Sequence, residues 1–242
     1  MTAHARHAAR LEHRLTRPAA SRDDLDAAVA LVLEHGLDAL TVSPWLVNPA
    51  RRMLARSSVR LGSVIGYPGG GQLPAVKAFE ASRALEHGAT QLDFVLNAGA
   101  LISGEDETVV GDMLAVVEMA HAALATAGVI LEPEPLTDEQ LRRACRLAER
   151  AGADHVVTSP GEADASWTIA RARLLHDLLG THLAVKAAGR FATLDEVTAA
   201  QRAGASVIST EFAAHLAREA REAREAAAAV GVAPQPLRAA AG

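Results

Sequence analysis

The chain has 242 residues, half of them hydrophobic but only 3% aromatic, and a net charge of −5. That length and apolar content suit one large α/β domain with a core of Ala, Val and Leu, and the mixed charges without a basic, aromatic-interleaved patch exclude nucleic acid as an expected partner. No apolar run reaches membrane-spanning length, MTAHARHAARLEHRL lacks the apolar stretch of a secretory signal, and a single cysteine, Cys145, excludes an internal disulfide, so a cytoplasmic protein without membrane contact is expected.

A first strand is predicted near residues 10–15 and carries Glu12 and His13. His13 can enter a site or pack structurally, and the residues alone leave both open. The segment SRDDLDAAVALVLEHG then reads as an amphipathic helix opened by a Ser cap and acids and stopped by Gly36, which leads into the strand DALTVSP. The same unit recurs: Glu86-His87-Gly88 leads into TQLDFVL, Arg150-Ala151-Gly152 into DHVVTSP, and Arg202-Ala203-Gly204 into SVIST. Further strands are predicted at RLGSVIG (60–66), GVILE (128–132) and HLAVKA (182–187). Lys77, in PAVKAFEASRALEHG, reads as part of an ordinary surface helix, and Cys145 as a small buried helical residue. The helical stretch HLAREAREAREAAAAVG presents a solvated charged face. Eight βα units favour an α/β fold of the closed (β/α)8, or TIM-barrel, type over an open doubly wound sheet. One domain is expected over 1–230, with a disordered tail over 231–242.

In such a barrel the site lies at the C-terminal ends of the strands. The polar residues expected there are Glu12, Asp93, Asn97, Glu132, Ser159, Lys186, Thr210 and Glu211. Lys186 stands out because the chain contains only two lysines. A strand-terminal amine is suited to carbonyl chemistry, which arginine cannot replace because guanidinium forms no Schiff base at working pH. Asp93, inside the apolar run QLDFVLNAGAL, is either a structural ion-pair partner or a proton relay beside Lys186. The glycine-rich turn IGYPGGGQLP is a tight βα loop or a place where substrate approaches the backbone. His35 and His87 fall at helix C-termini. No histidine group has metal-ligand spacing, and there is no nucleotide fingerprint, so neither metal nor cofactor is expected.

Together, LEHRLTRPAASRDDL, LTVSPWLV, VIGYPGGGQLPAVKAFEA, QLDFVLNAGALISG, VILEPEPLTDEQLRRAC and AVKAAGRFATLDE resemble the deoxyribose-phosphate aldolase family over about residues 11–212. The resemblance implies a barrel of the class I aldolase type. It puts Asp93 at the family's catalytic aspartate, Lys186 at its second active-site lysine, and Glu12 where an aspartate is usual. It also exposes departures. Val157 stands where the family's Schiff-base lysine is expected, and Gly128 about where a fifth-strand lysine is typical. Ser209-Thr210-Glu211-Phe212 replaces a small phosphate grip, and Arg190 replaces a glycine, offering a different anion site.

The resulting expectation is an aldolase-type carbon–carbon lyase or synthase acting on a small, unphosphorylated carbonyl compound. Lys186 would form the imine, Asp93 would relay protons, and Glu12, Asn97, Glu132, Ser159, Arg190, Thr210 and Glu211 would contact substrate. The alternatives are a lyase or isomerase using Lys186 as a fixed cation, and a non-catalytic barrel kept for binding or assembly. Barrels of this kind often pair, which leaves a homodimer open.

Overall fold

The computed structural model describes residues 10–131 and 136–229. Glu132 and the tail 231–242 lie outside the described residues. The chain alternates strand and helix. It runs β1 (Arg10–Leu15), α1 (Arg22–His35), β2 (Ala39–Val42), α2 (Val47–Met53), β3 (Arg60–Ile65), α3 (Pro74–Glu86), β4 (Gln91–Val95), α4 (Ala98–Ile102) and α5 (Asp106–Ala122). It continues with β5 (Thr126–Ile130), α6 (Asp138–Arg150), β6 (His155–Val157), α7 (Ala165–Leu179), β7 (Ala184–Ala188), α8 (Leu194–Arg202), β8 (Val207–Thr210) and α9 (Ala213–Ala229).

Every strand pairs in parallel with the next, and β8 returns to β1 through Glu12↔Ser209, closing the barrel. Closure shields both faces of the strands, an outward face that is apolar and an axial face that carries buried polar residues such as Glu12, Asp93 and Lys186. Leu40, Leu92, Phe94, Val129 and Ile208 are all fully shielded from water in one continuous core. No helix among the described residues is long and apolar enough to cross a membrane.

The helix punctuation is local chemistry. Ser21 and Thr193 each accept a bond from the backbone three residues on, and Asp24 and Glu196 reciprocate, forming capping boxes. Gly36 caps α1 in the left-handed conformation, at φ 61°. His35 and His87 end their helices, and Cys145 is buried.

Three expectations need correction. Strand β5 begins at Thr126, ahead of the most apolar residues, because pairing starts at Gln91↔Thr126. Lys186 sits at the centre of β7, since Ala187 and Ala188 continue the ladder with β8. Lys77 is not on a surface: it is fully buried, and its Nζ donates to the Val95 carbonyl at 2.8 Å and to Asp112 at 2.6 Å. Its helix α3 lies against α5, and the long stem carries the amine to the end of β4. Burial pushes the Lys77 amine down and the Asp112 carboxyl up, against the attraction between them.

Candidate functional site

Side chains at alternate positions of each strand meet on the barrel axis. From β1, Glu12 receives hydrogen bonds from Lys186 at 2.9 Å, from Ser209 at 2.7 Å and from Gln91 at 3.1 Å. From β4, Asp93 receives Lys186 at 2.7 Å and meets Nε2 of His155 at 2.8 Å. Lys186 is therefore clamped between two carboxylates and is 2% exposed.

This geometry decides the charge states. Burial alone would push the Lys186 amine down, but Asp93 and then Glu12, through charge and hydrogen bonds, outweigh it and hold the amine above its ordinary value. Burial would likewise raise Asp93. The Lys186 charge, then the hydrogen bond and charge of His155, bring it down to about 2. Glu12 also ends below its usual range, because Lys186 and the bonds from Lys186 and Ser209 overcome burial and the Asp93 charge. The cluster is an ammonium with two carboxylates.

The sequence alone did not single out His155, Gln91 or Ser209 as members. The signal was strand parity: Gln91 is two residues before Asp93, His155 two before Val157, and all face the axis. Gly128 makes the His155 contact possible. A Cβ at 128 would lie 2.1 Å from Nε2 of His155, so the imidazole reaches Asp93 through space that any side chain on β5 would fill. The place where the family resemblance leads one to expect a lysine is thus occupied by a histidine from the neighbouring strand.

Above the cluster lies an apolar layer of Val95, Ile130, Val157 and Ala188, with Tyr67 packed on it. Tyr67 donates to the Pro160 carbonyl at 3.1 Å. Arg14, two residues beyond Glu12, donates to the same carbonyl and to that of Gly161 at 2.6 Å. Gly161, at φ 109°, admits this approach, since a Cβ there would coincide with the guanidinium. Tyr67 and Arg14 thus tie the turn after β6 to the loop after β3 and to the end of β1.

The remaining candidates are spread out. Asn97 caps α4 by accepting from the Ala100 amide at 3.1 Å. Ser159 donates to the Ala188 carbonyl at 3.1 Å and accepts from Gly161, fixing the β6 turn. Thr210 is buried, donates to the Phe191 carbonyl and accepts from the Phe212 amide. Arg190 lies over the Phe212 ring, 5.9 Å from its centre. Glu211 is exposed, just beyond the end of β8. In the glycine-rich turn, Gly70 at φ 72° packs its α-carbon against the Leu96 carbonyl, where a Cβ would come within 2.1 Å. That contact accounts for one of its glycines by packing.

This architecture has clear relatives. The family model for DeoC/LacD family aldolases matches residues 9–233. A deoxyribose-phosphate aldolase of Thermococcus gammatolerans is 38% identical over 202 residues, covering 83% of this chain and 90% of its own. Deoxyribose-phosphate aldolase 1 of Cutibacterium acnes is 38% identical over 201 residues, covering 83% and 92%. Among solved structures, an aldolase designated QR15 superposes with a TM-score of 0.80 at 26% identity, over 89% of this chain and 95% of its own. A tetrameric deoxyribose phosphate aldolase from Aeropyrum pernix gives 0.78 at 29% identity, over 88% and 90%. By sequence and by fold, the chain belongs to the DeoC/LacD aldolase family.

Proposed function

We propose that this member of a lyase family is a barrel that binds a small molecule without forming an imine to it. The observation that carries the reading is the setting of Lys186, held between Glu12 and Asp93. Imine formation needs a neutral amine. A free lysine with a pKa of about 10.4 is neutral in roughly one molecule in 2,500 at pH 7, and Lys186 is driven further toward the ammonium. Among the described residues no second amine opposes this: Val157 is the register partner of Lys186, and the other lysine, Lys77, is held by Asp112. Stabilisation of an enolate by a fixed cation fares no better. Two carboxylates already neutralise the ammonium, and an apolar layer covers it.

One observation favours a second reading, the unphosphorylated-carbonyl lyase with Lys186 as nucleophile. Lys186, Asp93 and His155 form an unbroken line of hydrogen bonds at 2.7 and 2.8 Å, which would serve a proton relay. Reduction with cyanoborohydride in the presence of acetaldehyde, propanal, glyceraldehyde or pyruvate separates the two. The binding reading expects no mass increase on the Lys186 peptide, and a stoichiometric adduct there would replace it with the second.

Self-association belongs to the same proposal. Leu73, Val76 and Phe79 leave an exposed apolar stripe along the start and outer face of α3. The Aeropyrum pernix relative is tetrameric. A homodimer of this chain would show twice the chain mass in light scattering, and Phe79→Glu would return it to the monomer.

A further inference from the structure

Beside the end of β1 a cavity of about 270 Å³ opens between α1 and the turns that follow β6 and β8. That is the volume of about nine water molecules, room for a short-chain organic molecule. The Lys186 cluster does not line it. His13 does, although it is only 7% exposed, and its Nδ1 is buried without a hydrogen-bond partner. Leu15, Ala28 and Phe212 give the cavity an apolar side.

The charges around it do not balance. Two arginines, Arg14 and Arg17, face three carboxylates, Asp24, Glu162 and Glu211. The arginines are engaged: Arg14 holds the Pro160 and Gly161 carbonyls, and Arg17 pairs with Asp24. Glu162 reaches Arg14 only at 3.9 Å, and Glu211 has no ion-pair partner among the described residues. Such a wall attracts a cation and repels an anion. Nδ1 itself is sealed from the cavity, so it is the rest of the His13 ring, for which no hydrogen bond is formed among the described residues, that an occupant meets, and it calls for a neutral hydrogen-bonding group.

We propose that this cavity binds a small hydroxylated amine, with the ammonium between Glu211 and Glu162, the carbon chain against the apolar side, and the hydroxyl toward the His13 imidazole. The site lies off the barrel axis, so its occupant would not touch Lys186. The inference rests on the reading of the chain as a binding barrel, and it tells that reading where to look.

The test is a titration of the folded full chain at neutral pH and low salt, followed by ligand-observed NMR, with ethanolamine, ethylamine and glycolate as probes. Ethanolamine is expected to bind saturably with a Kd of about 1 mM, the range for so few atoms. Ethylamine should bind several-fold more weakly and glycolate not at all. Glu211→Gln, a substitution at an exposed position that leaves the fold intact, should weaken ethanolamine about tenfold. Absence of saturable ethanolamine binding, equal binding of ethylamine or glycolate, or an unchanged Kd in Glu211→Gln would each overturn the proposal. A missing ethanolamine signal without any Lys186 adduct sinks the cavity site alone. A borohydride-trapped adduct on Lys186 sinks the binding reading, whatever ethanolamine does.

Discussion

A side-chain carbon at position 128 would stand 2.1 Å from Nε2 of His155, so the bare glycine on β5 and the imidazole from β6 occupy complementary volumes. Through that gap His155 reaches Asp93, and Asp93 in turn holds Lys186. Gly128→Ala should therefore cost about 1–3 kcal/mol by overpacking, measured by urea unfolding. In a His155→Ala background the same substitution should cost far less, because the colliding ring is gone. Additive losses would contradict the complementarity.

Removing the ammonium should be costly, because it leaves two buried carboxylates facing each other. Lys186→Met is expected to lose about 3–5 kcal/mol. The loss should also carry a pH signature. Without the cation, burial and mutual repulsion raise the carboxyl pKa values in the folded state, so the variant should gain stability as pH falls from 7 toward 5. A variant as stable as the parent, or one indifferent to pH in that window, would show that the cluster does not hold its charges as described.

His13 supplies an opposite dependence in the parent protein. Burial, and then the Arg14 charge, lower it from the ordinary 6.5 to about 4, against a smaller upward pull from Glu12. The folded state thus prefers neutral histidine. Its contribution to stability is complete above pH 6.5 and is lost as pH falls toward 4, by about 3 kcal/mol for the whole interval. Asp93 adds a further loss only at lower pH, between its ordinary 3.8 and about 2. In denaturation curves at stepped pH, His13→Gln should flatten the decline between 6.5 and 4 and leave the steeper fall below it. Identical curves for parent and variant would remove His13 from this role.

The barrel was legible in the chain because its causes are local. Helix stops at Gly36, Gly88, Gly152 and Gly204 and caps at Ser21 and Thr193 mark out repeated βα units, and eight of them favour closure over an open sheet. The site was half legible. Asp93 and Lys186 announce themselves as charges in apolar runs, and Glu12 joins them. Asn97, Ser159 and Thr210, polar and near strand ends, each accept a bond from a backbone amide two or three residues on, which is what short polar side chains do at turns. The role of His155 and the burial of Lys77, which reads as a surface residue, are illegible for one reason. Each side chain finds its partner across strands or helices far apart in sequence, at 62 and 35 residues respectively, and periodicity carries no information at that range.

If Val157, where the family resemblance leads one to expect a lysine, is what sets the proposed absence of imine chemistry, an amine at that position should introduce it. In Val157→Lys the new group would stand in register with Lys186, inside the layer of Val95, Ile130 and Ala188. The apolar setting favours its neutral form. The expected result is a cyanoborohydride-trapped acetaldehyde adduct on the peptide carrying position 157 and none on the parent protein. A folded variant that traps nothing would show that more than one residue separates this barrel from imine chemistry.

The two lysines, Lys77 and Lys186, allow the decisive quantity to be read in one experiment. With lysine labelled by ¹⁵N at Nζ, the NMR spectrum of the folded chain contains two ammonium-nitrogen resonances, assigned by Lys77→Met and followed as pH is raised. Lys186 is expected to keep its proton past 10.5, the ordinary lysine value, while Lys77 releases its proton earlier. A Lys186 resonance that titrates near neutrality would restore the nucleophile and contradict the account at its centre.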